Sequence, residues 1–425
     1  MRRWRIEGLA LRLAAALLLG ALAVAPRAYA ETRPAIGSGF SPDGLKRLSD
    51  YFRNEVATAK IPGAVVLIQQ HGKPVYFETF GVRDAVVQTP MTKDAIFRLY
   101  SMSKPITSVA VMMLVDDGKI ALGDPLSKYI PAFADVKVGV EKKSVINRPV
   151  LDIEPLQRPI TIEDLLRQTS GITYGFYGES LVRKLYMSSD LFEGDFDNAQ
   201  FAERLARLPL AEQPETLWDY GHSTDVLGRV VEVVSGKSLY EFEKERLLDP
   251  LGMNDTGFSV PEAQRRRGAQ FLPYDRFERP VAGLDDPVLP RRWQSGGAGM
   301  VGTTEDYARF AEMLLEGGAL DGERYLKPET VTSMTTDHIG PATKIARDYF
   351  YFPSGDSGFG LGFAVRTVAT RLLPVGEYRW DGVGGTFFFI DPKDDMFAIV
   401  MMQSPSQRGR IQREAKRLIY EALGK

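Results

Sequence analysis

Ser101 and Lys104 stand three residues apart in the run Ser101-Met102-Ser103-Lys104, and the residues from Ser101 to Val115 read as a helix. Residues at i and i+3 share one helix face, which places a hydroxyl beside an amine. Attack on an acyl carbon needs a serine oxygen relieved of its proton, and a neutral amine can accept that proton. Burial and the positive end of a helix both disfavour an ammonium ion and lower a lysine pKa. The same helix end favours negative charge developing on Ser101. Pro105 is tolerated because it falls in the first turn. On spacing alone the pair also reads as a helix cap followed by a surface lysine.

Other reactive side chains are scarce. The 425 residues include no cysteine, which removes thiol chemistry and thiolate metal sites, and only three histidines, His71, His222 and His338, no two at ligand spacing. This argues against a zinc enzyme, and no metal or organic cofactor is expected. Gly221-His222-Ser223 begins like a G-x-S-x-G nucleophile elbow, but the fifth position is Asp225, where the sharp turn needs a small residue. A Ser223–Asp–His338 triad is a formal alternative.

The elements that must position these groups follow from pattern. Ser41-Pro42-Asp43 starts a helix carrying Leu45, Leu48, Phe52 and Val56. Gly63 to Gln70 and Val75 to Phe80 read as a hairpin around His71-Gly72-Lys73-Pro74. Helical stretches such as 162–168 and 224–235 lie among long loops between residues 131 and 290. After an amphipathic helix at 304–316, strands return at 360–368, 376–381, 386–390 and 396–403, and a helix at 407–423 closes the chain. Strands at both ends predict an α/β (α+β) fold: an antiparallel sheet built from both termini (about 40–130 and 291–425), flanked by helices, with a largely α-helical insertion at 131–290.

The segment Ile96-Phe97-Arg98-Leu99-Tyr100-Ser101-Met102-Ser103-Lys104-Pro105-Ile106-Thr107 resembles the active-site segment of the serine β-lactamase-like superfamily, which holds class C β-lactamases, D-alanyl-D-alanine carboxypeptidases (penicillin-binding proteins) and family VIII carboxylesterases. Further matches follow in order: Asp117 to Pro125, Ile160 to Ile172, Asp225-Val226-Leu227-Gly228 leading to Asp249 to Met253, and Ser295 to Val301. The resemblance spans residues 40 to 420 and implies a β-lactamase/transpeptidase-like fold with Ser101 as nucleophile. It implies Tyr220 as the tyrosine of the second motif, helping Lys104 to move the proton, with His222 where an asparagine is often found. Trp380-Asp381-Gly382 resembles the Trp-x-Gly variant of the third motif, and by family geometry the N–H groups of Ser101 and Val383 form the oxyanion hole. A cation at the first position of that motif would bind a carboxylate, whereas Trp380 offers an apolar wall and an indole donor. This favours a serine hydrolase acting as a carboxylesterase; a D-alanyl-D-alanine carboxypeptidase or β-lactamase is the alternative, and a non-catalytic binder with this fold a third. Phe176 and Tyr177, after the turn Gln168-Thr169-Ser170-Gly171, are candidates for the acyl pocket.

Arg2, Arg3 and Arg5, the apolar run Leu9 to Ala25 and Ala28-Tyr29-Ala30 form a signal-peptide pattern over residues 1–30, leaving 31–425 as the hydrolase domain of a periplasmic or secreted protein with no stable membrane anchor. Residues 1–30 hold five Arg and one Glu, so the remainder has 48 basic and 54 acidic residues, a net charge of −6. That balance argues against nucleic acid as a partner and leaves a small-molecule ester or amide. The oligomeric state is not encoded in any motif.

Overall fold

The Ser41 hydroxyl accepts a hydrogen bond from Gly44 N–H (3.0 Å) and caps helix α1 (Pro42–Ala57), which buries Leu45, Leu48 and Phe52. The computed structural model describes residues 39–176, 178–275, 284, 286–347, 351–352 and 355–425; the signal-peptide expectation and Tyr177 lie outside them. Strand β1 (Gly63–Gln70) is buried along its whole length. It turns through His71 and Gly72, both at positive φ (52° and 65°), into β2 (Lys73–Asp84), with β3 (Thr89–Pro90) on its edge. A two-residue turn with both residues left-handed matches the twist of the strands, so β2 begins at Lys73, earlier than the expected Val75. The short β4 (Phe97–Arg98) precedes a 3₁₀ turn, Tyr100–Met102, and helix α2 (Ser103–Asp116). The helix expected from Ser101 thus begins two residues later, and Ser101 lies in the tighter turn before it.

The middle of the chain, expected to be a largely α-helical insertion, also carries a hairpin. Strands β5 (Lys137–Lys143) and β6 (Pro149–Pro155) form a hairpin, with Val140 opposite Asp152 and Val138 opposite Glu154. Short helices follow: α3 (Ile162–Leu166), α4 (Leu181–Ser188), α5 (Asn198–Leu205), α6 (Ser223–Ser235), α7 (Leu239–Glu243) and α8 (Asp249–Leu251). Strand β7 (Val301–Gly302) pairs with β4, and helix α9 (Thr304–Leu315), the small hairpin β8 (Ala319–Leu320) and β9 (Glu323–Arg324), and helix α10 (Pro328–Met334) complete this half.

The returning strands are β10 (Ser357–Phe359), β11 (Ala364–Arg366), β12 (Tyr378–Asp381), β13 (Phe387–Asp391) and β14 (Met396–Met402), before helix α11 (Arg408–Ala422). Of the strand expected at 360–368 only Ala364–Arg366 is extended, because residues 360–363 form the turn that joins it to the preceding β10. The eight-stranded antiparallel sheet has the order β10-β11-β12-β13-β14-β1-β2-β3, so the last strand, β14, pairs with the first, Val66 opposite Val400. Because side chains alternate along a strand, Phe387, Phe389, Ala398 and Val400 pack with Leu48, Phe52, Ile419 and Tyr420 of α1 and α11. Phe388 points to the other face, its ring 5.0 Å from that of Tyr307 on α9. The fold is the mixed α/β, β-lactamase-like architecture expected from the sequence.

Candidate active site

Pairing of β4 with β7 fixes the approach to Ser101, and the Leu99 N–H continues the ladder to Met300 O (2.9 Å). Tyr100 then adopts φ 47°, a left-handed conformation that costs a bulky residue about 1–3 kcal/mol. Tyr100 and Met102 are buried while Ser101 between them remains partly exposed. The bend therefore hides its neighbours and presents the serine. Ser103 accepts from Met300 N–H (3.0 Å), and Tyr307 donates to Met102 O (3.1 Å), pinning the start of α2.

Lys104 is 2% exposed, and its Nζ donates to Tyr174 Oη (2.9 Å) and to Gly297 O (2.8 Å). Burial lowers its pKa to about 7, against the opposing charges of Asp225 and Asp381. A bare lysine surrounded by rings and a carbonyl thus holds its proton weakly near neutrality. The Tyr220 ring lies 4.5 Å from the same nitrogen.

Tyr220 is held from several sides. Its hydroxyl hydrogen-bonds to Ser101 and receives the Trp380 indole N–H (3.3 Å). Burial pushes its pKa up, while these two bonds pull it down. The turn Gln168-Thr169-Ser170-Gly171 supports the tyrosine segment: Gln168 O accepts from Asp219 N–H (3.0 Å), and Ser170 and Ser223 share a hydrogen bond (2.8 Å). Gly221 is required there, since a Cβ would lie 2.2 Å from Ile172 O. Arg183 of α4 ties the two tyrosine segments together, donating to both Asp219 oxygens (2.8 and 2.9 Å) and to Tyr174 O (3.1 Å).

Asp225, read from sequence as the residue that spoils an elbow and as the first of a matching family segment, is a buried organiser. Its carboxylate pairs with His222 Nδ1 (2.8 Å) and accepts from Ser295 Oγ (2.5 Å) and Gly297 N–H (3.1 Å). Burial opposes its ionisation, but the His222 and Lys104 charges and these hydrogen bonds hold its pKa below the usual carboxylate range. His222 is 5% exposed and its ring packs on Tyr174 (4.4 Å) and Phe201 (5.3 Å). It supports the wall of the site through Tyr174.

The segment Trp380-Asp381-Gly382 closes the other side. A Cβ on Gly382 would stand 2.3 Å from Leu99 O, and one on Gly384 would stand 2.8 Å from the Tyr100 ring. Glycines here let the turn carrying Val383, itself partly exposed, lie directly against the serine segment. Asp381 is ion-paired with Arg408 at the start of α11. Arg379 bonds Glu377 and Ser357 on the face opposite Trp380.

Ser101, Lys104, Tyr220, Trp380 and Gly382 therefore converge. Phe176 is 68% exposed and stacks on Tyr174 at 4.8 Å, on the rim. The triad alternative finds no geometry: Ser223 is fully buried against Ser170, and both His338 ring nitrogens are engaged, with Glu163 (3.3 Å) and Ser333 O (2.9 Å). Sequence reasoning passed over Tyr174, Asp225 and Gly297 as partners of Lys104; their only sequence signal is that each lies inside or beside one of the matching segments. Among the described residues, no cluster of three His, Asp or Glu side chains could hold a metal ion, and no helix is long and apolar enough to cross a membrane.

A sheet joining both ends of the chain, with a bent serine and a buried lysine beneath a tyrosine, is the arrangement of the serine hydrolases of the β-lactamase-like kind. Residues 48–421 match the Beta-lactamase family, and the chain belongs to it; it is a serine hydrolase. Esterase EstB of Burkholderia gladioli is 30% identical over 81% of this chain and 86% of its own length. The lovastatin esterase of Penicillium rubens is 32% identical over 83% of this chain and 91% of its own. Among solved structures, EstCE1, described as a hydrolase with promiscuous acyltransferase activity, shares the fold with a TM-score of 0.73 at 24% identity, over 89% of this chain and 98% of that one.

Proposed function

We propose that this protein is an exported carboxylesterase that cleaves neutral esters through an acyl-enzyme on Ser101. The observation that carries the reading is the buried amine of Lys104 with both of its hydrogen-bond donations committed, to Tyr174 Oη and Gly297 O. A neutral amine has two N–H bonds and one lone pair, so the lone pair is left to receive the Ser101 proton. As the proton moves to Lys104, directly or through Tyr220, Ser101 Oγ bonds to the ester carbon and the carbonyl electrons move to oxygen. The N–H groups of Ser101 and Val383 stabilise that oxyanion. When the carbonyl re-forms, the C–O bond to the alcohol breaks, and the proton held on Lys104 and Tyr220 goes to the leaving oxygen. Water then repeats the sequence on the acyl-enzyme, freeing the acid and Ser101.

Preference for an ester over a β-lactam or a peptide terminus rests on the third motif. Trp380 gives its indole N–H to Tyr220 where a cation would otherwise face a carboxylate, and the neighbouring Arg408 is matched by Asp381. The two relatives named as esterases agree with this reading. The test is a substrate panel. Short-chain p-nitrophenyl esters are expected to give a higher kcat/KM than any penicillin, cephalosporin or D-Ala-D-Ala peptide. Ser101→Ala is expected to abolish turnover and fluorophosphonate labelling without loss of folding. A cephalosporin rate above that on p-nitrophenyl butyrate overturns the substrate assignment, and activity retained by Ser101→Ala overturns the nucleophile.

A further inference from the structure

We propose that Glu243 is a positioning residue for Lys104, donating through Thr107 to the Gly296 carbonyl and so fixing the Gly296-Gly297 turn that holds the amine. The proposal rests on the reading of Lys104 as proton acceptor. Glu243 ends α7 and is fully buried against α2. Its Oε1 lies 3.0 Å from Thr107 Oγ1, one helical turn beyond Lys104, and Thr107 Oγ1 lies 3.1 Å from Gly296 O. Thr107 has one hydroxyl proton and faces two acceptors. Both contacts can be hydrogen bonds only if Glu243 is the acid form, giving its proton to Thr107 while Thr107 gives its own to Gly296. An ionised Glu243 would take the threonine proton and leave the Gly296 carbonyl without a donor.

Packing makes this chain sensitive. A Cβ on Gly296 would stand 2.9 Å from Thr107 Cγ2 and 3.0 Å from Thr224 O, so the turn sits hard against both helices. The next residue, Gly297, gives its N–H to Asp225 and receives Lys104 on its carbonyl. A shift of the Gly296 peptide is therefore passed directly to the amine. Charged groups on its own helix and the elements beside it are Glu241 on α7, Lys104 and Asp116 on α2, Asp225, Arg229 and Glu232 on α6, and Lys244, Glu245 and Arg246 in the turn that follows. None of them contributes to its shift. Burial alone pushes its carboxyl up to about 8, opposed only by Thr107. The acid form is thus the neutral-pH form.

The experiment compares Glu243→Gln, Glu243→Leu and Thr107→Val in the full chain, reading kcat and KM for p-nitrophenyl butyrate against pH. The amide of glutamine keeps a donor toward Thr107, so Glu243→Gln is expected to retain activity at neutral pH and to lack the fall in activity through about pH 8 that is expected of the native chain. Glu243→Leu and Thr107→Val are expected to lower kcat by roughly 10–100-fold with little change in KM, less than the ~10²–10⁴-fold of losing an acid–base group outright because Lys104 is displaced and not removed. Native kcat in both, or a Glu243→Gln variant as impaired as Glu243→Leu, overturns the proposal. If Glu243→Leu does not fold, the near-isosteric Thr107→Val decides. Ser101→Ala separates the two readings: an inactive Ser101→Ala beside unaffected Glu243 variants overturns only the positioning role, whereas an active one overturns the nucleophile itself.

Discussion

At the scale of single residues, the chemistry depends on how weakly Lys104 holds its proton. Its pKa falls to about 7 because burial outweighs the charges of Asp225 and Asp381. A base must be neutral to act, so kcat/KM for a neutral ester is expected to rise with pH through about 7 and to be lost below it. Asp381→Asn removes one of the two charges that favour the ammonium, so the rising limb is expected to move to lower pH. The same change releases Arg408 from its ion pair. Relative kcat/KM on an ester carrying a carboxylate, against one that does not, is then expected to rise by about 10-fold, the order of one new charge-assisted hydrogen bond. An unchanged ratio would mean that Arg408 does not reach the bound acyl or alcohol group. Ser101 and Lys104 were legible in the sequence because their meeting is a property of one helix turn. Tyr174 and Gly297 were not, since they reach Lys104 across 70 and 193 residues of chain, and hydrogen bonds of that span leave no periodicity. Asp225 was visible as a mismatch to another enzyme's motif and as part of a matching segment, but not as an organiser, because Ser295 and Gly297 reach it from a loop about 70 residues later.

Between elements, the site is a matter of how closely a strand end approaches a helix start. Gly382→Ala would push a Cβ to 2.3 Å from Leu99 O, so the Val383 turn must withdraw from Ser101. The expected outcome is a fall in kcat/KM of about 10²-fold or more, the scale of a lost oxyanion donor, with slower phosphonate labelling to match. The loop after Gln168-Thr169-Ser170-Gly171 sets a softer property. Phe176 covers Tyr174 from solvent, and Phe176→Ala is expected to change the preference between acetyl and longer acyl esters by about 10-fold, the value of one or two methylenes. A flat chain-length profile with a lowered Tm would make Phe176 an anchor. Long elements were read correctly from their patterns, α1, α6, α9, β14 and α11 among them. The β5–β6 hairpin was missed because it is half exposed and polar, with Asp152 and Glu154 alternating with Leu151 and Ile153. Its apolar period is that of a strand, but too short and too charged to stand out among loops.

For the molecule as a whole, the sheet is closed by its own two ends. β14 pairs with β1 along seven residues, from Ala64 opposite Met402 to Gln70 opposite Met396, and the Ser41 N–H reaches Ala422 O at 2.7 Å. Helix α11 lies against α1, where a Cβ on Gly44 would stand 2.5 Å from the Ala422 backbone. Removing residues 408–425 is expected to abolish cooperative thermal unfolding by circular dichroism, since Phe389, Val400 and Phe52 would lose the helix that covers them. A truncated chain that still melted cooperatively would place the stabilising core elsewhere. The closure also sets a timetable. While the chain is being synthesised, β1 and β2 have only each other, and a lone hairpin is marginal in water. The central strand β14 and the helix α11 that seals it follow every other element of the sheet in the chain, so the sheet cannot zip until they have been made. A polypeptide whose sheet waits for β14 and α11 stays open through most of its synthesis, with the apolar faces of its early strands uncovered until those two elements dock.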